Sequence, residues 1–203
     1  MSAFAKDPRV LAWDLWNEPD NTNGNSYKST ELAGKSTHVE AWMPKVFGWA
    51  RSTKPVQPLT VGVWQGKDWS KNEAMSAVDR MLIGMSDVIS FHNYSAAPEF
   101  EKRMKDLERL KRPLLCTEYM ARGAGSTFEG ILPLAAKYDV AAYNWGFVQG
   151  KTQTDLPWDS WQKPYVGREP SVWFHEIFRK DGKPYRQEEV DLIRKLASEK
   201  SRR

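Results

Sequence analysis

The chain has 203 residues, of which 40% are apolar, 12% aromatic and 28% charged, the make-up of a core-forming protein rather than a disordered one. No run of about eighteen apolar residues occurs, so no membrane span is predicted, and the single cysteine, Cys116, excludes an internal disulfide and a multi-thiolate metal site. The formal charge of +4 is local: residues 1–178 carry 21 basic and 21 acidic side chains, residues 179–203 carry 9 and 5, so the excess sits in the C-terminal segment that ends in SEKSRR and no nucleic-acid partner is predicted.

Short apolar runs alternate with amphipathic stretches along the chain. The segment MSAFAKDPRV lacks the apolar stretch of a signal peptide. Val10–Leu15 reads as a buried strand, closed by the loop of Pro19, Asn21, Asn23 and Gly24. Val39, Trp42, Met43, Val46, Phe47 and Ala50 then recur at helical spacing, with Thr37 and Glu40 placed as a capping box and Pro44 as an interior kink. Leu59–Trp64 is the second strand, followed by a loop rich in Lys, Asp and Asn and a weaker helix around Glu73–Leu82. Val88–Phe91, Leu114–Thr117 and Val140–Trp145 are the remaining strands. A helix carrying Phe100, Met104, Leu107 and Leu110 precedes the fourth strand, and one capped by Ser126 and Glu129 precedes the fifth. A long aromatic loop from Phe147 to Pro170 leads to a predicted helix near Ser171–Arg179, a turn at Asp181–Gly182, and a last helical face of Val190, Ile193, Leu196 and Ala197. Such β-α alternation predicts an α/β fold with a parallel sheet, since each strand needs a crossover to return in the same direction. Neither GxGxxG nor GxxxxGK[ST] occurs, so no phosphate cradle and no nucleotide cofactor is predicted.

Polar and aromatic residues follow the apolar part of each strand: Trp16-Asn17-Glu18-Pro19 after the first, His92-Asn93-Tyr94 after the third, Glu118-Tyr119 after the fourth and Asn144-Trp145-Gly146 after the fifth. In parallel α/β folds these ends share one face, where ligands bind. Glu18 and Glu118 are a hundred residues apart, which is three βα units of about 33 residues each. Two carboxylates among Trp and Tyr rings suit cleavage of a glycosidic bond, one as a protonated acid for the leaving oxygen and the other as an anion at the anomeric carbon. Tryptophan occurs ten times. Trp42 and Trp49, at helical spacing, are expected in the core or an interface, and Trp13 is expected buried. Trp16, Trp64 and Trp145 stand at strand ends as candidate sugar platforms. Trp158 and Trp161, in PWDSW, suit either a cleft wall or packing of their loop. His38 and His175 fall in helical patterns and read as surface or packing residues, whereas His92 stands at a strand end and is expected to contact substrate. Cys116 reads as a small buried filler. The three His and one Cys have no zinc-type spacing, so no metal is predicted.

WNEP at 16–19, HNY at 92–94, TEY at 117–119 and the strand end at Trp145 resemble the retaining glycoside hydrolases of clan A, chiefly the cellulase-like family 5 enzymes, with some similarity to the family 2 β-glycosidases. The resemblance covers essentially the whole chain and implies a (β/α)8 TIM barrel. It implies Glu18 as acid/base at the end of the fourth barrel strand and Glu118 as nucleophile at the end of the seventh. Asn17 would bind the sugar 2-hydroxyl, Tyr94 would orient Glu118, His92 would line the sugar subsite, and Trp145 would be the platform on the eighth strand. On that alignment residues 1–203 form a single domain, the C-terminal part of a barrel with about five βα units. The first three units and the Arg of the third strand fall outside the sequence, and a full barrel takes about 250 residues. The implied activity is hydrolysis of a β-linked oligo- or polysaccharide by double displacement, without cofactor. The alternative is an incomplete barrel that binds carbohydrate only. The expected partner is a carbohydrate, with self-association through exposed barrel edges as a second expectation. The resemblance suits a secreted or periplasmic full-length protein.

Overall fold

A computed structural model describes residues 1–64, 66 and 68–200, without the side chain of Lys200. Gln65 and Lys67 of the polar loop, and the charged end at 201–203, lie outside the described residues. Five strands alternate with helices: β1 Trp13–Asn17, α1 Gly24–Tyr27, α2 Lys35–Ser52, β2 Leu59–Gly62, α3 Ala77–Met85, β3 Ile89–His92, α4 Ala97–Glu108, β4 Leu114–Tyr119, α5 Phe128–Lys137, β5 Ala141–Asn144 and α6 Gln187–Lys200. By its contacts the chain divides into two compact units, residues 1–92 with 105–115, and residues 93–104 with 116–203.

In the first unit β1 and β2 run parallel, Trp13 opposite Leu59 and Asn17 opposite Gly62, with an irregularity between Asp14 and Asn17. A parallel bridge from Val63 to Phe91 carries the order on to β3. β2 and β3 are buried at every residue, which is why both read as unbroken apolar runs. β1 is terminal in this order and only partly buried, so Trp13 is half-buried rather than enclosed, its indole N–H donating to Gln57 Oε1 at 3.1 Å. α2 buries Val39, Met43, Phe47 and Ala50 along one stripe. Trp42 and Trp49 do not join that core. They are 50% and 59% exposed and share a separate face, ring centroids 6.2 Å apart, because the core stripe is set by the residues one position away. α2 begins at Lys35, two residues before the expected cap, because Gly34 adopts a left-handed φ of +64° and the Thr37 N–H already bonds the Gly34 carbonyl. Pro44 lies inside the helix on its exposed side, where water can take the carbonyl that proline leaves unpaired. The weak helix resolves into a 3-10 turn at Asn72–Ala74 and α3, which Ser76 caps by accepting from the Asp79 N–H at 2.9 Å.

In the second unit Thr127, not Ser126, caps α5, accepting from the Gly130 N–H; the Ser126 Oγ accepts from the Met120 N–H instead. The predicted helix at Ser171–Arg179 is absent. Its backbone is drawn into other bonds: the amides of Phe174 and His175 donate to the Asp155 and Thr154 carbonyls, and Phe178 bridges Val148 and Pro184. Regularly spaced apolar residues there pack inward from an extended, turning segment. A buried ion pair ties the unit together. The Arg122 guanidinium donates through Nε and Nη2 to both oxygens of Glu189, at 2.8 and 2.5 Å, and through Nη1 and Nη2 to the Trp173 and Glu176 carbonyls. Removing one partner strands a charge in the core, so Glu189→Ala should cost about 3–5 kcal/mol. Denaturant unfolding reads this directly; a loss below about 1 kcal/mol would show that water reaches the freed guanidinium.

Candidate active site

The first unit holds Glu18 at the end of β1. The Glu18 N–H donates to the Gly62 carbonyl at 2.8 Å, extending the β1–β2 ladder by one step, and the residue then turns with φ +44°. Its Oε1 lies 2.5 Å from His92 Nδ1, and its Oε2 accepts from Asn21 Nδ2 at 2.5 Å. At that distance the carboxyl and the imidazole are joined by a short hydrogen bond. His92 is 3% exposed, so it reaches the rim through Glu18 rather than by facing solvent. Gly62 makes the arrangement possible: a Cβ there would meet Asn17 Oδ1 at 3.1 Å, His92 Nε2 at 3.2 Å and Asp14 Oδ2 at 3.3 Å. Asp14 adds to the cluster by accepting from the Gly62 N–H at 2.9 Å and the Ser90 hydroxyl at 3.3 Å.

From Glu18 an open groove of about 510 Å³ runs along α2, lined among others by Trp16, Asn17, Tyr27, Lys35, His38 and Trp42. Trp16 and Asn17 are exposed at its wall. The Lys35 ammonium is tethered to Glu31 and to the Asn21 carbonyl, so it braces the loop that carries Asn21. Trp64 is half-buried and does not line this groove.

The second unit holds Glu118 within β4, 8% exposed, with the Tyr94 hydroxyl donating to its Oε2 at 2.8 Å. The Asn93 N–H bonds the Glu118 carbonyl at 3.0 Å, fixing the start of the Asn93-Tyr94 turn against the strand end. Cys116 is fully enclosed and its thiol is pushed up by burial, which suits a filler and not a nucleophile. Trp145 follows β5 and is 52% exposed. The structure also brings in a residue that the sequence did not single out as a site residue. His175, 2% exposed and in no helix, has Nδ1 at 2.8 Å from the Met120 carbonyl and Nε2 at 3.0 Å from the Trp158 indole N–H. A carbonyl can only accept and an indole N–H can only donate, so the ring is neutral with its proton on Nδ1. Neither histidine spacing nor hydropathy carried a sign of this, because its partners come from three separate segments.

No protein-family profile matches the chain. Among curated proteins it resembles mannan endo-1,4-beta-mannosidase 5 of Arabidopsis thaliana, 24% identical over 159 residues that make up 62% of this chain and 34% of that protein. The putative mannan endo-1,4-beta-mannosidase 9 of Oryza sativa subsp. japonica is 28% identical, over 62% of this chain and 35% of its own length. The endo-beta-1,4-mannanase structure from Thermotoga petrophila superposes on 96% of this chain and 45% of that one, with a TM-score of 0.58 and 17% identity. The fold is thus an α/β structure with parallel strands like that of barrel glycosidases. The proteins it resembles are glycoside hydrolases, as the WNEP, HNY and TEY motifs imply, and the match spans about a third of the length of the curated relatives.

Burial, and to a lesser degree the Arg122 charge, lower the His175 pKa from 6.5 to about 4, while the bond to Met120 opposes the shift. Between those values the unfolded chain binds a proton that the folded chain refuses. Folding stability should therefore fall as pH drops from about 6.5 to about 4, with no further contribution from this group below that. Thermal unfolding across this range, repeated with His175→Gln, checks the assignment: the variant should lose part of the slope, and an unchanged slope would assign it to other groups.

Proposed function

We propose that the chain carries the C-terminal five βα units of a (β/α)8 glycosidase barrel, read as one domain, and hydrolyses β-linked polysaccharide by the retaining route. β1 to β5 then correspond to the fourth to eighth barrel strands. The observation that carries this reading is that each candidate carboxyl stands at the C-terminal end of a strand and is hydrogen-bonded to a side chain from another segment: Glu18 to His92 and Asn21, Glu118 to Tyr94. Glu118 attacks the anomeric carbon, the Tyr94 hydroxyl holding the attacking carboxylate in orientation. Glu18 gives its proton to the departing oxygen and then takes one from the water that hydrolyses the glycosyl-enzyme. The His92 bond suits that exchange, because the imidazole can accept or return a proton without the carboxyl moving. Asn17 is assigned to the sugar 2-hydroxyl, Trp16, Trp64 and Trp145 to stacking on sugar C–H faces, and His92 to support of the sugar subsite. The mannanase relatives support β-1,4-linked mannan as substrate, and as hydrolases they favour cleavage over binding alone.

Glu118→Gln should lower kcat/KM for soluble mannan by about 10²- to 10⁴-fold or more, and Glu18→Gln should do the same while sparing kcat/KM for 2,4-dinitrophenyl β-mannoside, whose leaving group needs no acid. Reducing-sugar release and dinitrophenolate absorbance measure both. Equal loss on both substrates in the Glu18 variant would remove its assignment as acid.

We further propose self-association. β1 has a neighbour on one side only among the described strands, and Trp16, Trp42 and Trp49 stand exposed on the same unit. Sedimentation velocity should give a weight-average mass that rises with concentration; a monomer at every concentration up to about 100 μM would overturn it, since contacts weaker than that lie at the margin of a specific interface.

A further inference from the structure

The loop between β5 and α6 spends a buried histidine on an exposed tryptophan. Trp158 is 51% exposed, yet its indole N–H, which water could satisfy, donates at 3.0 Å to the Nε2 of a histidine that is 2% exposed. That histidine is fixed at both ends. Its Nδ1 proton goes to the Met120 carbonyl, two residues beyond Glu118, and its own carbonyl accepts from Asn144 Nδ2 at the end of β5 at 2.8 Å. The backbone there passes so close to β5 that a Cβ on Gly146 would meet the His175 carbonyl carbon at 2.8 Å. Rings complete the clamp: Tyr94 stands edge-on to Trp158 with centroids 5.1 Å apart, Phe174 does so at 5.3 Å, and Tyr94 also meets the His175 ring at 5.4 Å. Tyr94 is the residue whose hydroxyl bonds Glu118. The side chain of the neighbouring Trp161, 71% exposed, makes no hydrogen bond or ring contact among the described residues.

A tryptophan that serves only to pack a loop gains most by burying its ring, because the stabilisation scales with apolar area removed from water. Here the ring is immobilised and left half open beside Tyr94. That is the arrangement of a surface prepared for a flat apolar ligand, with the ordering entropy of the side chain already spent on folding. A pyranose offers such a face in its axial C–H groups.

We propose that Trp158 is a sugar-stacking residue on the Glu118 side of the site, and that neutral His175 is the positioning residue that holds it. The inference rests on the reading of the chain as a glycoside hydrolase, and its ligand is the β-1,4-linked mannan chain assigned there. A protonated or absent imidazole would offer the indole no acceptor, so the platform depends on His175 remaining neutral.

The test uses the full chain with β-1,4-mannotetraose as probe, titrated calorimetrically, and ¹⁵N spectra of the indole N–H groups. Trp158→Leu and His175→Phe should each weaken binding about tenfold, the order expected for one lost stacking contact. Trp161→Leu should bind like the parent, and His175→Gln, which still presents an acceptor, should recover most of the affinity. The indole resonance identified by its disappearance in Trp158→Phe should shift in His175→Phe and hold its place in His175→Gln. Unchanged affinity in Trp158→Leu with a binding parent overturns the stacking assignment alone. A parent that binds neither mannotetraose nor cellotetraose overturns the hydrolase reading and this inference with it. An indole resonance that ignores His175→Phe overturns the positioning role, and Trp158→Leu still decides the platform should His175→Phe fail to fold.

Discussion

Parallel strands cannot be joined by a tight turn, so each must be followed by a crossover, and every strand end then points to the same edge. The carbonyls of β2 show how this constraint builds chemistry. Gly62 accepts from the Glu18 N–H and Val63 from the His92 N–H, so two backbone bonds to successive residues set the register of the strand ends on either side. With that register fixed, the Glu18 carboxyl and the His92 imidazole have little choice of partner. The missing side chain at Gly62 leaves the space in which Asp14, Asn17 and His92 converge. A one-residue slip of β1 would turn Trp16 and Glu18 together to the other face of the sheet and dissolve the pair of Glu18 with His92.

Two kinds of polar burial coexist in the chain, and they separate structure from candidate chemistry. Arg122 and Glu189 satisfy each other through two bonds, with Trp173 and Glu176 carbonyls taking further guanidinium protons. A guanidinium does not give up its proton, so this pair can hold a helix in place and nothing more. Glu18 and Glu118 are bonded to imidazole, amide and phenol groups instead, which orient a carboxyl without pairing it to a fixed positive charge. His175 uses the same economy one layer out, since a neutral ring that both donates and accepts can join two segments without introducing a charge.

The sequence carried the strands well because β2 and β3 are covered on both faces and so appear as continuous apolar runs. The candidate residues Glu18, His92, Tyr94 and Glu118 were legible for a related reason: each sits at or just after a strand end, and strand ends are where apolar runs stop. Spacing alone failed where tertiary bonds outbid local preference. At Ser171–Arg179 a helical rhythm of apolar residues is overridden by amide bonds to Thr154 and Asp155. On α2 the rhythm was right but the stripe was wider than the core, which left Trp42 and Trp49 outside. Asn21, Asp14 and His175 could not be singled out, because each matters through a partner between 3 and 76 residues away and no local pattern encodes such a meeting.

Two of the seven non-glycine residues with positive φ among the described residues directly follow the strands of the candidate acids. Glu18 and Met120 adopt φ values of +44° and +61°, a left-handed conformation that ordinary side chains avoid and that costs of order 1–3 kcal/mol at such positions. Neither residue type invites it, so the surrounding bonds must impose it. Around Glu18 these are its own N–H to Gly62 and its carbonyl accepting from the Asn21 N–H at 3.1 Å. Around Met120 they are its N–H to the Ser126 hydroxyl and its carbonyl to the His175 ring. Each sharp turn redirects the chain immediately after a strand. Without the first, Glu18 would continue the ladder and its carboxyl would leave His92. Without the second, the Met120 carbonyl would face away from His175 and the indole of Trp158 would lose its anchor. The strain is therefore the cost of holding the Glu18 carboxyl against His92 in the first unit and the Met120 carbonyl against His175 in the second.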